Sequence, residues 1–158
     1  MSEQGDNKKS RHFTVVVRRQ FPCKAEVAFA SWINSEIGKR VLSHGRYKYG
    51  VKEVDVVEGG RERYDDRWRN RLHGTTERRY LTIRPSKLII AHAQKTLKGD
   101  MYDQFWATQE LLLFKEKEDG CEVVAYNQCV SISPFYIHAA EDQLNEVFDV
   151  AENEAFLA

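Results

Sequence analysis

Three observations predict an α+β fold, a curved antiparallel sheet of about seven strands wrapped around a long C-terminal helix, with two short helices after the first strand. Residues 51–132 fall into β-rich runs separated by turn residues. Residues 25–42 have helical spacing between the first strand and the rest. The segment after Ser133 carries its apolar residues in one stripe at spacings of three and four. At 158 residues the chain fits one domain with a sizeable core. The reading is a disordered tail over 1–11 and a single domain over 12–158.

Taken in order, Met1 to Arg11 is polar and aperiodic. His12 to Phe21, HFTVVVRRQF, is rich in β-branched residues and reads as a strand that Pro22 ends. Ala25, Ala28, Phe29 and Trp32 give a helix over Ala25 to Ile33, and Asn34 caps a second one ending near Leu42. Ser43 to Gly50 reads as a loop. The stretch Glu53 to Trp68, EVDVVEGGRERYDDRW, is two strands joined by a tight turn on Glu58-Gly59-Gly60. Next come a turn around Asn70 to Gly74, a strand over Thr75 to Ile83 and a turn on Arg84-Pro85-Ser86-Lys87. Leu88 to Thr96 follows, with Leu88, Ile90, His92 and Gln94 read as its inner face. A loop with Gly99-Asp100 leads to a long strand from about Tyr102 to Glu116, and Glu118-Asp119-Gly120 turns it into Glu122 to Ile132. Ser133-Pro134 supplies N-cap and N1 residues for the last helix. Its stripe of Ile137, Ala140, Leu144, Val147, Phe148, Ala151 and Ala155 needs a surface, and the inner face of the sheet is the large one on offer.

The alternation after Gly60 singles out one region. Arg61, Arg63, Asp65, Arg67 and Arg69 share one face, which the arginines mark as solvated. Glu62, Tyr64, Asp66 and Trp68 share the other, which must be inner, so two carboxylates are expected there.

Charge and cysteine content exclude several classes. Lys+Arg and Asp+Glu are 24 each, so no net field points to nucleic acid or an anionic membrane. The charges are uneven: residues 61–79 hold seven arginines against four acids, and residues 141–154 hold six acids and no base. These are two solvated faces, or the two halves of a weak homo-oligomer contact. Cys23, Cys121 and Cys129 lack the spacing of a zinc site and read as reduced thiols. With no apolar run of membrane-spanning length, the expected location is cytoplasmic. No sequence feature calls for a cofactor or metal.

Three motifs then carry a resemblance. Residues 28–36, AFASWINSE, are similar to a VFxAWTDPE-like helix and turn; residues 55–61, DVVEGGR, to a DxRPGGR hairpin; and residues 84–90, RPSKLII, to a PPERLVF turn and strand. In this order they resemble the SRPBCC (START-like) superfamily, in the branch related to the activator of heat-shock-chaperone ATPase, over about residues 13–156. Asn34-Ser35 stands for Asp-Pro, Val57-Glu58 for Arg-Pro, and Glu62 and His92 replace large apolar residues. The resemblance implies a helix-grip fold with a chamber between sheet and C-terminal helix. Relatives bind lipids, hormones or polyketides there, and some act as cyclases or hydrolases. The chaperone activators carry a further N-terminal domain that is not expected here.

With the alternation, the resemblance nominates lining residues: Trp32 from the first helix, Glu62, Tyr64, Asp66 and Trp68 from the hairpin, Leu88, Ile90 and His92 from one strand, Asn127 from the last strand, and Leu144 and Phe148 from the final helix. The expected partner is a small hydrophobic or amphipathic molecule. The alternatives are an enzyme with Glu62, Asp66 or His92 as acid/base groups, and a chaperone-associated interaction module. Glu62 and Asp66 are four residues apart, or about 13 Å along a strand. That exceeds the roughly 5–9.5 Å of a hydrolytic carboxylate pair. Either one beside His92 would form an acid/base couple; otherwise Arg78, Arg79 or water satisfies the carboxylates.

Overall fold

The structure, a computed structural model, describes residues 11–34, 48–68, 71–97, 104–131 and 136–154. In chain order these form β1 (Arg11–Phe21), α1 (Ala25–Ile33), β2 (Lys48–Val54), β3 (Arg61–Trp68), β4 (Arg71–Arg84), β5 (Leu88–Leu97), β6 (Gln104–Lys117), β7 (Gly120–Ser131) and α2 (Tyr136–Glu154). The expected tail before Arg11, the second short helix, the Gly99-Asp100 loop and the Ser133-Pro134 helix start lie outside the described residues.

The seven strands form one antiparallel sheet in the order β1-β7-β6-β5-β4-β3-β2. Strands β2 to β7 follow one another as hairpins, and β1 pairs with β7 along its full length, from Arg11↔Ser131 to Phe21↔Cys121. Several strands run longer than expected. Lys48 to Gly50 belongs to β2 rather than to a loop, and β4 starts at Arg71, with Gly74 inside it opposite Asp66.

The β2–β3 connection is wider than a two-residue turn. Gly60 N–H donates to Val57 O at 2.8 Å, and Gly59 takes φ +78°, which a side chain disfavours. A Cβ on Gly60 would collide with the backbone oxygens of Asp55 and Val57. The turn is also tied to β4: Gly59 N–H donates to Tyr80 O at 2.8 Å, and Tyr80 N–H donates to Gly60 O at 3.0 Å. Glu58 Oε1 accepts from Ile83 N–H at 2.9 Å, beside the β4 bulge between Tyr80 and Thr82.

The inner face follows from register. Val15, Val17 and Phe21 of β1 share it with Cys121, Val123, Ala125 and Asn127 of β7, then with Thr108, Leu112 and Phe114 of β6, all buried. An aromatic cluster fills the β1 side. Phe21 and Trp32 lie 6.0 and 5.6 Å from Phe148, and Phe29 lies 5.3 Å from Phe114. Burying a side chain such as Phe148, 1% exposed, contributes about 1.5–3 kcal/mol.

Helix α1 buries Ala25, Ala28 and Phe29. Lys24 gives its N-terminus no side-chain cap; instead Ala25 N–H donates to Glu116 Oε2 of β6 at 2.8 Å. Helix α2 packs on β1, with Phe148 and Ala151 buried and Leu144 partly so. Arg19 of β1 fixes it, donating to Asp149 at 2.6 Å, Glu152 at 3.3 Å and Asn145 at 3.4 Å. The C-terminal helix is short beside the sheet: its 19 described residues make about 28 Å at 1.5 Å per residue. Strands β4 and β6, at 14 residues each, run about 46 Å. The molecule is therefore mostly sheet, and α1 and α2 pack on its β1-β7-β6 half.

Candidate functional site

On the other half, the inner face turns polar. Register places Glu62 opposite Arg78, Tyr64 opposite Thr76, and Tyr80 opposite Ala91, with Ala91 in turn opposite Glu110. Arg78 is the hub. Its Nη1 donates to Glu62 Oε2, while Nε and Nη2 hold both oxygens of Glu110 at 2.5 and 3.0 Å. Tyr80 donates its hydroxyl to Glu62 Oε1 at 2.5 Å, and the guanidinium carbon lies 5.9 Å from the Tyr64 ring centroid.

Glu110 belongs to β6, two strands from Arg78 and about 9.6 Å away at usual strand spacing. The side chain of Arg78 therefore crosses β5, and the residues beneath it are Ala93 and Ala91. Larger residues there would block the path.

The electrostatics follow from this packing. Burial opposes the charge of Arg78, but Glu110, Tyr64, Glu62 and Tyr80 keep its pKa well above the ordinary guanidinium range. Burial, then the neighbouring Glu62, push the Tyr80 hydroxyl well above its usual range, so it stays a donor. The tier is not sealed. The side chains of Arg78 and Glu110 keep 19% and 22% of their exposure. Lys95 and Asn127 are further buried polar residues on this face.

The sequence-predicted residues divide into groups. Glu62 and Tyr64 lie on the inner face, as their alternation requires, in the Arg78 tier. Trp32, Leu144 and Phe148 are together in the aromatic core under α2. Asn127 lies between the groups, opposite Glu110. Asp66 shares the strand parity of Glu62, but its side chain and that of Trp68 lie outside the described residues.

Leu88, Ile90 and His92 are a correction. The buried positions of β5 are Ile89, Ala91, Ala93 and Lys95, which puts these three on the outer face. There Leu88 joins Leu113 and Val124, and Ile90 joins Leu111 and Tyr126, so at this end β5 and β6 are apolar on both sides. His92 contacts Gln94 at 3.4 Å and cannot couple with Glu62 across the sheet. Asp65 is the second correction. It is buried, paired with Thr75 of β4 and Gly50 of β2, and accepts from the Thr75 hydroxyl at 3.4 Å.

Sequence reasoning missed Tyr80, Glu110 and Lys95, and gave Arg78 no preference over Arg79. The phase of Tyr80 would have separated the two arginines, since a tyrosine two residues from Arg78 shares its face.

Cys23 and Cys121 sit away from the tier. Cys23 and Cys121 hydrogen-bond to each other, with burial pushing the Cys23 thiol up and Cys121 up to about 12. Cys129 lies between the Thr108 hydroxyl and Asn127 O, both at 3.7 Å. A cleft at the β6–β7 turn, lined by Gln20, Phe21 and residues 117–121, is too polar and open for an apolar ligand.

No protein-family model and no curated protein sequence matches the chain. Solved structures do share its architecture. An uncharacterized protein from Rhizobium leguminosarum superposes with a TM-score of 0.77 at 21% identity, over 91% of this chain and 94% of its own. Proteins from Chromobacterium violaceum and Mesorhizobium loti give 0.70 at 12% and 0.65 at 16%, covering 90% and 89% of this chain and 97% and 95% of theirs. At these identities the likeness is one of fold. No helix among the described residues is long and apolar enough to cross a membrane.

Proposed function

We propose that this protein is a helix-grip member of the SRPBCC (START-like) superfamily that binds a small amphipathic molecule against the inner face of its sheet. The polar end meets the Glu62–Arg78–Glu110 tier, and the apolar part lies toward the aromatic side chains near α2. The observation that carries this reading is the tier itself, an ionic cluster on the face where a solid core would place apolar side chains. Burying charge is costly, and hydrophobic replacements of such triads are often more stable. Its presence beside the small Ala91 and Ala93 favours a role in recognition. The resemblance in residues 28–36, 55–61 and 84–90 supports the same site.

The enzyme reading is weaker, because His92 and Glu62 lie on opposite faces and Glu62 is held by Arg78 and Tyr80. Native mass spectrometry of the protein purified from its own host tests the proposal. A reproducible excess over the denatured mass is expected, lost on organic extraction. A bare-chain mass, with no gain on incubation with host lipid extract, would count against a ligand site.

A further inference from the structure

Asn127 is 8% exposed, and its carboxamide has no hydrogen-bond partner among the described residues; only its backbone oxygen is used, by the Cys129 thiol. It shares the inner face with Val123, Ala125 and Cys129, opposite Val15 on one side and Glu110 on the other. Buried amides are rarely left unpaired, and one that is points to a water or a ligand.

The surroundings restrict that ligand. The charge next to Asn127 is Glu110, both of whose oxygens are held by Arg78 while its side chain keeps 22% exposure. Arg78 is already shared between Glu110 and Glu62. Lys95, a buried cation on this face, is opposite Thr76 and two positions beyond Ala93, whereas Glu110 is opposite Ala91. An anionic group at Asn127 would therefore face a carboxylate without an adjacent uncommitted cation among the described residues. A hydroxyl or primary amide would instead donate to Glu110 and accept from Asn127 Nδ2.

Building on the amphiphile reading above, we propose that Asn127 is a specificity-determining residue, selecting a neutral donor–acceptor head group, a hydroxyl or primary amide, over a carboxylate. The test uses octan-1-ol, octanamide and octanoate at about pH 8, read by calorimetry on the full chain. The two neutral probes are expected to bind about tenfold or more tighter than octanoate, a difference of about 1.4 kcal/mol.

Asn127→Leu should erase that preference without lowering the melting temperature, because an apolar group replaces an unpaired amide of similar size. Asn127→Asp keeps the shape and should weaken octan-1-ol while favouring octylammonium, which keeps the test intact if the leucine variant folds poorly. Octanoate binding as tightly as octan-1-ol, or an Asn127→Leu variant with wild-type selectivity, overturns the role of Asn127. Failure of every probe to bind the wild-type protein overturns the amphiphile reading itself.

Discussion

Arg78 shows how much one side chain can organise. It neutralises carboxylates from two strands and spans a third, so removing it leaves the buried Glu62 and the half-buried Glu110 without their shared cation. Arg78→Met is expected to cost about 3–5 kcal/mol in urea unfolding. Adding Glu62→Gln and Glu110→Gln should restore most of that; a triple variant no better than the single one would refute the triad account. Cys121 gives a pH signature. Its thiol is neutral in the fold with a pKa of about 12, above that of an unfolded cysteine, about 8.5. Its contribution is therefore complete below about pH 8.5 and is lost as pH rises toward 12. Iodoacetamide should leave Cys121 unmodified at neutral pH, and denaturation should expose it. Legibility at this scale was uneven. Alternation alone put Glu62 and Tyr64 inward, because arginines marked the opposite face. It failed on β5, where Leu88, Ile90 and His92 are bulkier than the alanines that face inward. Those alanines are small because Arg78 lies over them, a fact held in β4 and β6 rather than in β5.

Among the elements, the β2–β3 connection was read correctly as a turn, but its attachment to β4 had no local signal. Gly60→Ala is expected to destabilise by on the order of 3 kcal/mol, since the new Cβ meets backbone oxygens that cannot rotate away. A change below about 0.5 kcal/mol in thermal unfolding would mean that the loop simply rearranges. Helix α1 was legible from its apolar spacing; the Glu116 carboxylate that caps it was not, because it comes from 91 positions further on. Helix α2 was legible as one stripe, and its anchor is ionic as well as apolar. Arg19→Met should weaken docking by about 1–2 kcal/mol, because hydrogen bonds between charged groups are lost at a partly exposed site. Hydrogen exchange should then quicken in α2 before the sheet; uniform exchange would make helix and sheet one cooperative unit.

At the scale of the molecule, strand number, antiparallel hairpin order, a helix after β1 and another after β7 could all be read from the sequence, because each rests on local turns and periodicities. The division of the inner face into an apolar half under the helices and a polar half beyond β5 could not, since it depends on which strands become neighbours. One such neighbourhood has a temporal consequence. Val16 pairs with Tyr126, so the first strand to be synthesised must wait for the last. At about 5–20 residues per second on the ribosome, that wait is roughly 5–20 s. Meanwhile β2 to β6 can zip together hairpin by hairpin, while β1, with three consecutive valines, remains without its partner. Joining it to β7 closes the longest loop in the sheet, and that late step is where refolding should be slowest and newly made chains most in need of protection.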